Sequence, residues 1–236
     1  MKILAIDSSG LVASAAIVEE DRVLGVFSVN NKLTHSQTLL PMIDELMKIT
    51  GIEPTELDAA AVAKGPGSFT GLRIGSATAK GIGLALNLPV VEISTLEAMS
   101  FALYGTDRVI CPMMDARRGQ VYTALYRFEG ETLVNVSPAD ACPVEDIIGK
   151  INELGLPVIY TGDGFPVYGE KVRSLTKTDF TEALPFQNRQ NAAALGTLAV
   201  RYLKEGKTVT ADAHVPDYMR LSQAERERAE KEKSQC

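Results

Sequence analysis

The sequence predicts an α/β fold of two lobes, each with the element order β-β-β-α-β-α-β-α. Short apolar stretches with strand character alternate with longer stretches of helical periodicity, and the same order of elements appears in both halves. Each half also begins with an apolar strand that ends in an aspartate, Asp7 in the first and Asp115 in the second. We therefore expect one lobe over 1–104, a second over 105–221, and a polar tail over 222–236 that is helical or disordered.

The first half opens with three predicted strands, at 2–8, 14–20 and 22–29. A helix follows from 35 to about 50, because Thr34 and Gln37 have the spacing of a capping box and Gly51 suits a helix end. Beyond it we predict strands at 58–63 and 89–93 and helices at 70–86 and 94–104.

The second half repeats this order. Ser94 and Glu97 predict a capping box for the helix that ends the first half. The strands that follow are predicted at 109–114, 120–128, 133–136, 158–161 and 183–186. Pro143 suits the first turn of a helix to 153, a short helix follows Gly164, and Asn188 is expected to cap a last helix that ends at Gly206.

Composition limits the function classes. The chain has 236 residues, 45% of them hydrophobic, and a net charge of −6, which argues against nucleic-acid binding by this chain alone. Three cysteines without metal-binding spacing favour a reducing compartment, and we expect a cytoplasmic protein. No apolar run approaches the length of a membrane span, so no membrane partner is expected.

The segment 64–86 is the most informative part of the chain. Gly71, Gly75, Ala79 and Gly83 recur every four residues and so form a ridge without side chains along one face of a helix. Glycine inside a helix costs about 1 kcal/mol relative to alanine, so the ridge must serve a close approach of another backbone. The pattern leaves open whether that backbone belongs to this chain or to a partner.

The sequence carries only weak patterns for a phosphate site, a metal site or a catalytic nucleophile. The turn at 65–68 lacks the Gly-Lys-Ser/Thr of a phosphate loop, and Thr70 replaces the third glycine of the dinucleotide-binding pattern. His35 and His214 are too far apart along the chain to share a metal through one helix turn. We expect no metal site, no catalytic residue and no cofactor of the chain's own.

Several segments together resemble a known family. The repeated unit resembles the actin–sugar kinase–Hsp70 superfamily, and the motifs resemble the TsaB family, also called YeaZ. The segments that carry this resemblance lie at 3–9, 64–75, 115–122, 216–220 and 224–225. The resemblance spans roughly residues 1–225, and its middle segment is the most specific.

The resemblance implies a non-catalytic paralogue of TsaD within the machinery that transfers a threonylcarbamoyl group to N6 of the tRNA adenosine next to the anticodon. The implied partners are a TsaD-type catalytic subunit, a TsaE-type ATPase, and a second copy of the chain when it is alone. The implied complex, not this chain alone, would handle tRNA, ATP and magnesium.

The resemblance implies that a partner subunit, and not only this chain, packs against the two helices 35–50 and 70–86. The interface residues predicted on them are Leu39, Ile43, Met47, Gly71, Leu72, Gly75, Ala79, Ile82 and Gly83.

A vestigial nucleotide site is also predicted, from Asp7, Ser8, Ser9, Asp115, Gly162 and Gly164. Ser9 stands where nucleotide-binding members of the superfamily carry the glycine of Asp-x-Gly-x-Thr. The alternative function is an active ATP-dependent phosphotransferase or ATPase of the same superfamily. Arg117 and Arg118 beside Asp115 could serve phosphate chemistry, a partner's carboxylates, or only a charged turn.

Overall fold

Residues 1–31 and 33–220, which the computed structural model describes, form two five-stranded mixed sheets. The strands of the first sheet are β1 (Ile3–Asp7), β2 (Ala13–Val18), β3 (Val23–Val29), β4 (Ala59–Gly65) and β5 (Val90–Ser94). The strands of the second sheet are β6 (Val109–Asp115), β7 (Gln120–Glu129), β8 (Thr132–Pro143), β9 (Val158–Thr161) and β10 (Phe180–Glu182). The sheets have the equivalent orders β3-β2-β1-β4-β5 and β8-β7-β6-β9-β10, which confirms the predicted duplication.

Helices cover both faces of each sheet. They are α1 (His35–Thr50), α2 (Phe69–Leu86), α3 (Thr95–Phe101), α4 (Val144–Leu154), α5 (Gly164–Leu175) and α6 (Ala192–Lys204). α1 and α2 pack on the outer face of the first sheet, where Leu4 and Ile6 of β1 lie, and α4 and α5 pack on the outer face of the second. Alternation along β1 sends Ile3 and Ala5 to the other face, toward the middle of the molecule.

The two lobes exchange helices at the middle of the molecule. α3 comes from the first half, yet Leu96 and Met99 pack with Ile110 of the second sheet. α6 comes from the second half, yet Leu195 and Ala199 pack with residues of the first sheet. The predicted lobe bounds of 1–104 and 105–221 stay a prediction. Within the described residues, the last helix of the second half, α6, buries its apolar stripe against the sheet of the first half. The tail at 222–236 lies outside the described residues.

Several predicted boundaries and caps differ from the structure. β10 ends at Glu182, before the predicted strand 183–186, which contains Pro185 and its missing N–H. Asn191 caps α6, since its side chain accepts a hydrogen bond from the Ala193 N–H at 2.9 Å, whereas the predicted cap Asn188 accepts one from the Gly162 N–H. β8 is also much longer than the predicted strand 133–136.

The predicted capping boxes have different outcomes. In α1 the Gln37 side chain accepts a hydrogen bond from the Thr34 N–H at 3.3 Å, as predicted, and Gly51 ends the helix in the left-handed conformation. At α3 the Ser94 side chain makes no capping bond. Glu97 instead accepts a hydrogen bond from the Tyr202 hydroxyl of α6 at 2.6 Å, so a contact between the exchanged helices replaces the local cap.

The glycine ridge of α2 faces its own chain. A β-carbon at Gly71 would overlap the Ser8 carbonyl oxygen, and one at Gly75 would lie 2.5 Å from the Ser8 hydroxyl. At the other end of the ridge, a β-carbon at Gly83 would lie 2.8 Å from that of Ala211. The ridge therefore lets α2 approach the turn after β1 and the segment after α6 at backbone distance.

This packing predicts opposite effects for two glycine-to-alanine changes in one helix. Gly71→Ala should lower the free energy of unfolding by about 1–3 kcal/mol, because the added methyl group has no space. Gly81→Ala should raise it by about 0.5–1 kcal/mol, since a β-carbon at Gly81 meets nothing within 4 Å. Urea denaturation of both variants measures the difference, and equal stabilities would contradict the inward orientation of the ridge.

Candidate functional site

A cleft of about 820 Å³ separates the two lobes. Its first wall consists of the turn after β1 and the segment 67–71 that opens α2. Its second wall includes Asp115 at the end of β6 and Asp163 before α5, and residues 217–220 close one side. In this duplicated fold the carboxyl ends of the central strands β1 and β6 therefore face each other across the cleft.

Asp7 is the carboxylate of the first wall, and it is fully buried. Its Oδ1 accepts hydrogen bonds from the Ser9 N–H at 2.9 Å and the Ser9 hydroxyl at 2.6 Å, while its Oδ2 has no partner among the described residues. Burial raises the pKa of the Asp7 carboxyl to about 6, against the opposing effect of the Ser9 hydrogen bonds. Asp7 thus serves the turn beneath it and has no surface in the cleft.

The start of α2 packs directly against the turn after β1 and hydrogen-bonds to it. The Ser8 hydroxyl donates a hydrogen bond to the Gly71 carbonyl at 2.8 Å, and the Ser9 carbonyl accepts one from the Ser68 N–H at 2.7 Å. A β-carbon at Gly67 would overlap that same Ser9 carbonyl. The donors that a phosphate would need at this turn are therefore used within the chain: the Ser8 hydroxyl by α2, and the Ser9 N–H and hydroxyl by Asp7.

The second wall carries a rigid polar turn. The Asp115 carboxylate accepts hydrogen bonds from the Tyr168 hydroxyl at 2.9 Å and the Arg117 N–H at 2.8 Å. Asp163 accepts one from the Asp115 N–H at 3.2 Å, and burial raises the pKa of the Asp163 carboxyl. Arg117 and Arg118 have φ angles of 65° and 57°, which is costly for residues other than glycine, asparagine and aspartate.

The glycines predicted for the vestigial nucleotide site have a packing role. Gly162 has a φ angle of 106°, and a β-carbon there would overlap the Met113 carbonyl oxygen of β6. At Gly164 a β-carbon would lie 2.9 Å from the same oxygen. The structure brings Asp115 and Asp163 together, but it places Gly162 and Gly164 against a strand.

The residues predicted for a partner interface lie mostly inside this chain. Leu39 and Ile43 belong to the core beneath the first sheet, and Met47 and Ile82 pack against that core as half-buried residues. Leu72 is also buried. The ridge of Gly71, Gly75, Ala79 and Gly83 is buried as well. These side chains face the sheet because both helices must cover it, so any partner would meet the opposite faces.

Those opposite faces carry apolar and small residues. On α2, Ala77 and Ala85 are exposed, Leu84 is 62% exposed, and Gly81 has open space above it. On α1, the exposed apolar side chains Leu40 and Ile49 are nine residues apart and so lie on different sides of the helix. We call the α2 set of Ala77, Gly81, Leu84 and Ala85 the outer face of α2.

Sequence reasoning missed the segment after α6, which crosses α2. His214 is buried and joins two elements, because its Nδ1 lies 2.6 Å from Glu92 Oε1 and its Nε2 lies 2.8 Å from Ser76 Oγ. Lys80 of α2 donates to the Asp212 and His214 carbonyls at 2.9 and 3.0 Å. A histidine in a segment without periodicity carries no local signal of these contacts, which depend on residues more than 120 positions away.

The described part of the chain contains no cluster of metal ligands and no exposed cysteine thiol. Residues 1–31 and 33–220 contain no group of three histidine, cysteine, aspartate or glutamate side chains that could hold a metal ion. Cys111 and Cys142 are buried, and burial raises the pKa of the Cys111 thiol to about 12. Across the same described residues, no helix has the length and hydropathy that a membrane crossing requires.

The fold defines the class of protein first. The structure shares its fold with a ROK hexokinase from Thermus thermophilus, at a TM-score of 0.50 and 10% identity over 87% of this chain and all of the other. The chain therefore has the fold of the actin–sugar kinase–Hsp70 superfamily, as predicted. A family model described as TsaD, tRNA N6-adenosine threonylcarbamoyltransferase, matches residues 14–228.

Curated relatives narrow this class. The chain is 32% identical to the tRNA threonylcarbamoyladenosine biosynthesis protein TsaB of Bacillus subtilis, over 99% of this chain and 100% of that protein. It is 30% identical to TsaB of Escherichia coli, over 93% and 95%. The solved structure of YeaZ from Pseudomonas aeruginosa superposes with a TM-score of 0.78 at 26% identity, over 92% and 99%. The chain belongs to the TsaB (YeaZ) family of tRNA threonylcarbamoyladenosine biosynthesis proteins.

The burial of Asp7 predicts a pH-dependent stability difference. Its pKa rises from 3.8 to about 6 on folding, so the folded state binds its proton more tightly and the wild-type protein loses stability as pH rises from about 4 to about 6. Asp7→Asn cannot ionise. The free energy of unfolding of the variant relative to wild type should therefore be higher at about pH 7.5 than at about pH 4, by roughly 2.4 kcal/mol.

Urea denaturation of both proteins at the two pH values measures this difference. Asp21→Asn, at an exposed aspartate between β2 and β3, controls for the general loss of one negative charge. A wild-type-to-variant difference that is the same at both pH values would show that Asp7 titrates as it does in the unfolded chain.

Proposed function

We propose that this chain is the non-catalytic subunit of the complex that transfers a threonylcarbamoyl group to N6 of the tRNA adenosine next to the anticodon. In this proposal it stabilises a TsaD-type catalytic subunit, and the complex also includes a TsaE-type ATPase. The proposal places the chain in the cytoplasm, where such a complex meets tRNA. Membership of the TsaB family supports the pathway.

The main structural support for a non-catalytic role is the use of the turn after β1. Ser8 and Ser9 direct their hydroxyl and carbonyl groups to α2 and to Asp7. A phosphotransferase of this fold needs a carboxylate and free backbone groups at this turn for a metal-bound phosphate. The contacts of Asp7, Ser8 and Ser9 therefore favour a scaffold over the alternative ATP-dependent phosphotransferase.

The outer face of α2 supports a partner surface. A glycine and two alanines at spacing four let another helix approach closely, and Leu84 adds apolar area beside them. We propose that the TsaD-type subunit covers this face, together with part of the neighbouring helix α1. A second copy of the chain would use the same face when that subunit is absent.

No cofactor of its own is part of this proposal. ATP and magnesium would act in the assembled complex through the other subunits, and tRNA would be engaged only there. The net charge of −6 supports this last point, because an isolated acidic chain repels a polyanion.

The interface proposal predicts the effect of one added side chain. Gly81→Glu should weaken the complex with a TsaD-type subunit by at least about tenfold, because it places an unpaired charge where the two backbones approach. The fold should persist, since a β-carbon at Gly81 meets nothing within 4 Å. Isothermal titration calorimetry measures the affinity, and light scattering measures the self-association of the chain alone.

Gly149→Glu is the matched control. Gly149 lies inside α4 of the second lobe, and a β-carbon there also meets nothing within 4 Å. The same charge at this position should leave the affinity unchanged. Equal affinities of the two variants would exclude the outer face of α2 as the interface, and absence of any complex with the wild-type chain would refute the scaffold role itself.

A further inference from the structure

Four arginines beside the cleft form a connected set, which we call the arginine rim: Arg73, Arg117, Arg118 and Arg220. Arg117 and Arg220 line the cleft itself. The Arg220 guanidinium donates a hydrogen bond to the Ala116 carbonyl at 2.5 Å and so ties the C-terminal segment to the turn that carries Arg117 and Arg118. Two residues earlier, Tyr218 stacks beside Phe69 with ring centroids 4.7 Å apart. The Arg73 guanidinium lies over Phe69 at 4.0 Å, which extends the rim to α2.

Three of the four rim arginines lack a nearby carboxylate among the described residues, as do the scattered cations Lys80, Lys150, Lys177, Arg189 and Arg201; the rim is distinguished by its cations lying together. Nine other lysines and arginines among the described residues lie no more than 2.7 Å from a carboxylate oxygen. Within residues 1–31 and 33–220, no carboxylate lies within 4.0 Å of the Arg73, Arg118 or Arg220 side chain, and Arg117 has a single long contact of 3.8 Å with Asp115. In a chain of net charge −6, a cluster of unneutralised guanidinium groups requires an explanation.

The exposed side chains of Arg117 and Arg118 lie on a turn with an uncommon backbone conformation. Both residues and Gly119 have positive φ angles, a conformation in which glycine or asparagine would cost less. The backbone beneath is fixed by Asp115, Tyr168 and Arg220. The Arg117 side chain is nevertheless 83% exposed. The strain is therefore retained while the guanidinium groups bind nothing strong within the chain.

Aromatic side chains lie between these arginines. Phe69 and Tyr218 line the same cleft mouth, and both contact Arg73. Guanidinium groups interleaved with aromatic rings suit the phosphates and bases of an RNA strand. Three acidic residues line the cleft: Asp115 and Asp163 of the second wall are engaged in hydrogen bonds with the protein, and Asp217 is exposed beside Tyr218.

We infer that the arginine rim binds the phosphate backbone of the RNA on which the assembled complex acts. This inference rests on the proposed function, because the isolated chain is acidic overall. The rim ends at Arg73, four residues before Ala77 on the outer face of α2, where the TsaD-type subunit is proposed to sit. RNA bound to that subunit would therefore extend past the edge of the subunit interface to contact the rim.

The test measures tRNA binding by the complex of this chain with a TsaD-type subunit over a range of KCl concentrations. Arg117→Gln with Arg118→Gln should weaken binding roughly 5- to 50-fold at about 0.1 M salt, because two phosphate contacts are lost. The slope of log K against log salt should fall in magnitude by about 1.4 to 1.8. Lys150→Gln with Lys177→Gln is the matched control, since both lysines are exposed and neither lines the cleft.

Calorimetry on the same proteins without RNA separates the other outcomes. Failure of the wild-type chain to bind the TsaD-type subunit would refute the proposed function. A normal complex with an unchanged salt slope in the arginine variant would overturn the rim as an RNA site. A variant that weakens subunit assembly, with unchanged RNA binding once assembled, would show that the rim binds a partner's carboxylates and would also overturn the inference.

Discussion

The approach of α2 to the turn after β1 is the constraint on which the rest of the structure depends. Side chains are absent at Gly67, Gly71 and Gly75, so the start of the helix contacts Ser8 and Ser9 at backbone distance. This contact uses the Ser8 hydroxyl, a donor that a bound phosphate would need, and Asp7 is buried beneath the same turn. It also fixes the rotation of α2, because one face must meet the turn and the opposite face must then point away from the sheet. One packing interaction thus accounts for both the altered cleft and the exposed outer face.

The exchange of α3 and α6 between the two halves connects the two sheets through shared packing. Each of these helices packs on the sheet of the other half, and the Tyr202 hydroxyl of α6 donates to Glu97 of α3 between them. Since the carboxylate is largely buried, burial raises its pKa while this hydrogen bond opposes the rise. The segment after α6 then returns over α2 through His214 and reaches the second lobe at Arg220. The chain therefore joins the two lobes at the middle of the molecule and again at the cleft mouth.

Local patterns in the sequence predict most of the fold, and long-range contacts explain what they miss. The apolar alternation, the Thr34–Gln37 cap and the repeat of element order predict the strands, the helices and the duplication. The spacing of Gly71, Gly75, Ala79 and Gly83 correctly predicts a close contact, but a spacing cannot say whose backbone makes it. The structure shows that this chain makes the contact itself, through the Ser8 carbonyl and hydroxyl and the Ala211 side chain. The caps at Ser94 and Asn188 are wrong because Glu97 and Asn188 have partners far away in the sequence, Tyr202 and Gly162.

The division of α2 into an inward and an outward face is the central claim, and cysteine labelling tests it most directly. Ala77→Cys and Ala79→Cys, each with Cys236→Ser, place one thiol on either face, while the natural Cys111 and Cys142 stay buried. At concentrations where the chain is monomeric, a maleimide should label residue 77 rapidly and residue 79 very slowly, and a TsaD-type subunit should protect residue 77. Rapid labelling at residue 79 in the isolated chain, or unchanged labelling at residue 77 in the complex, would contradict the account.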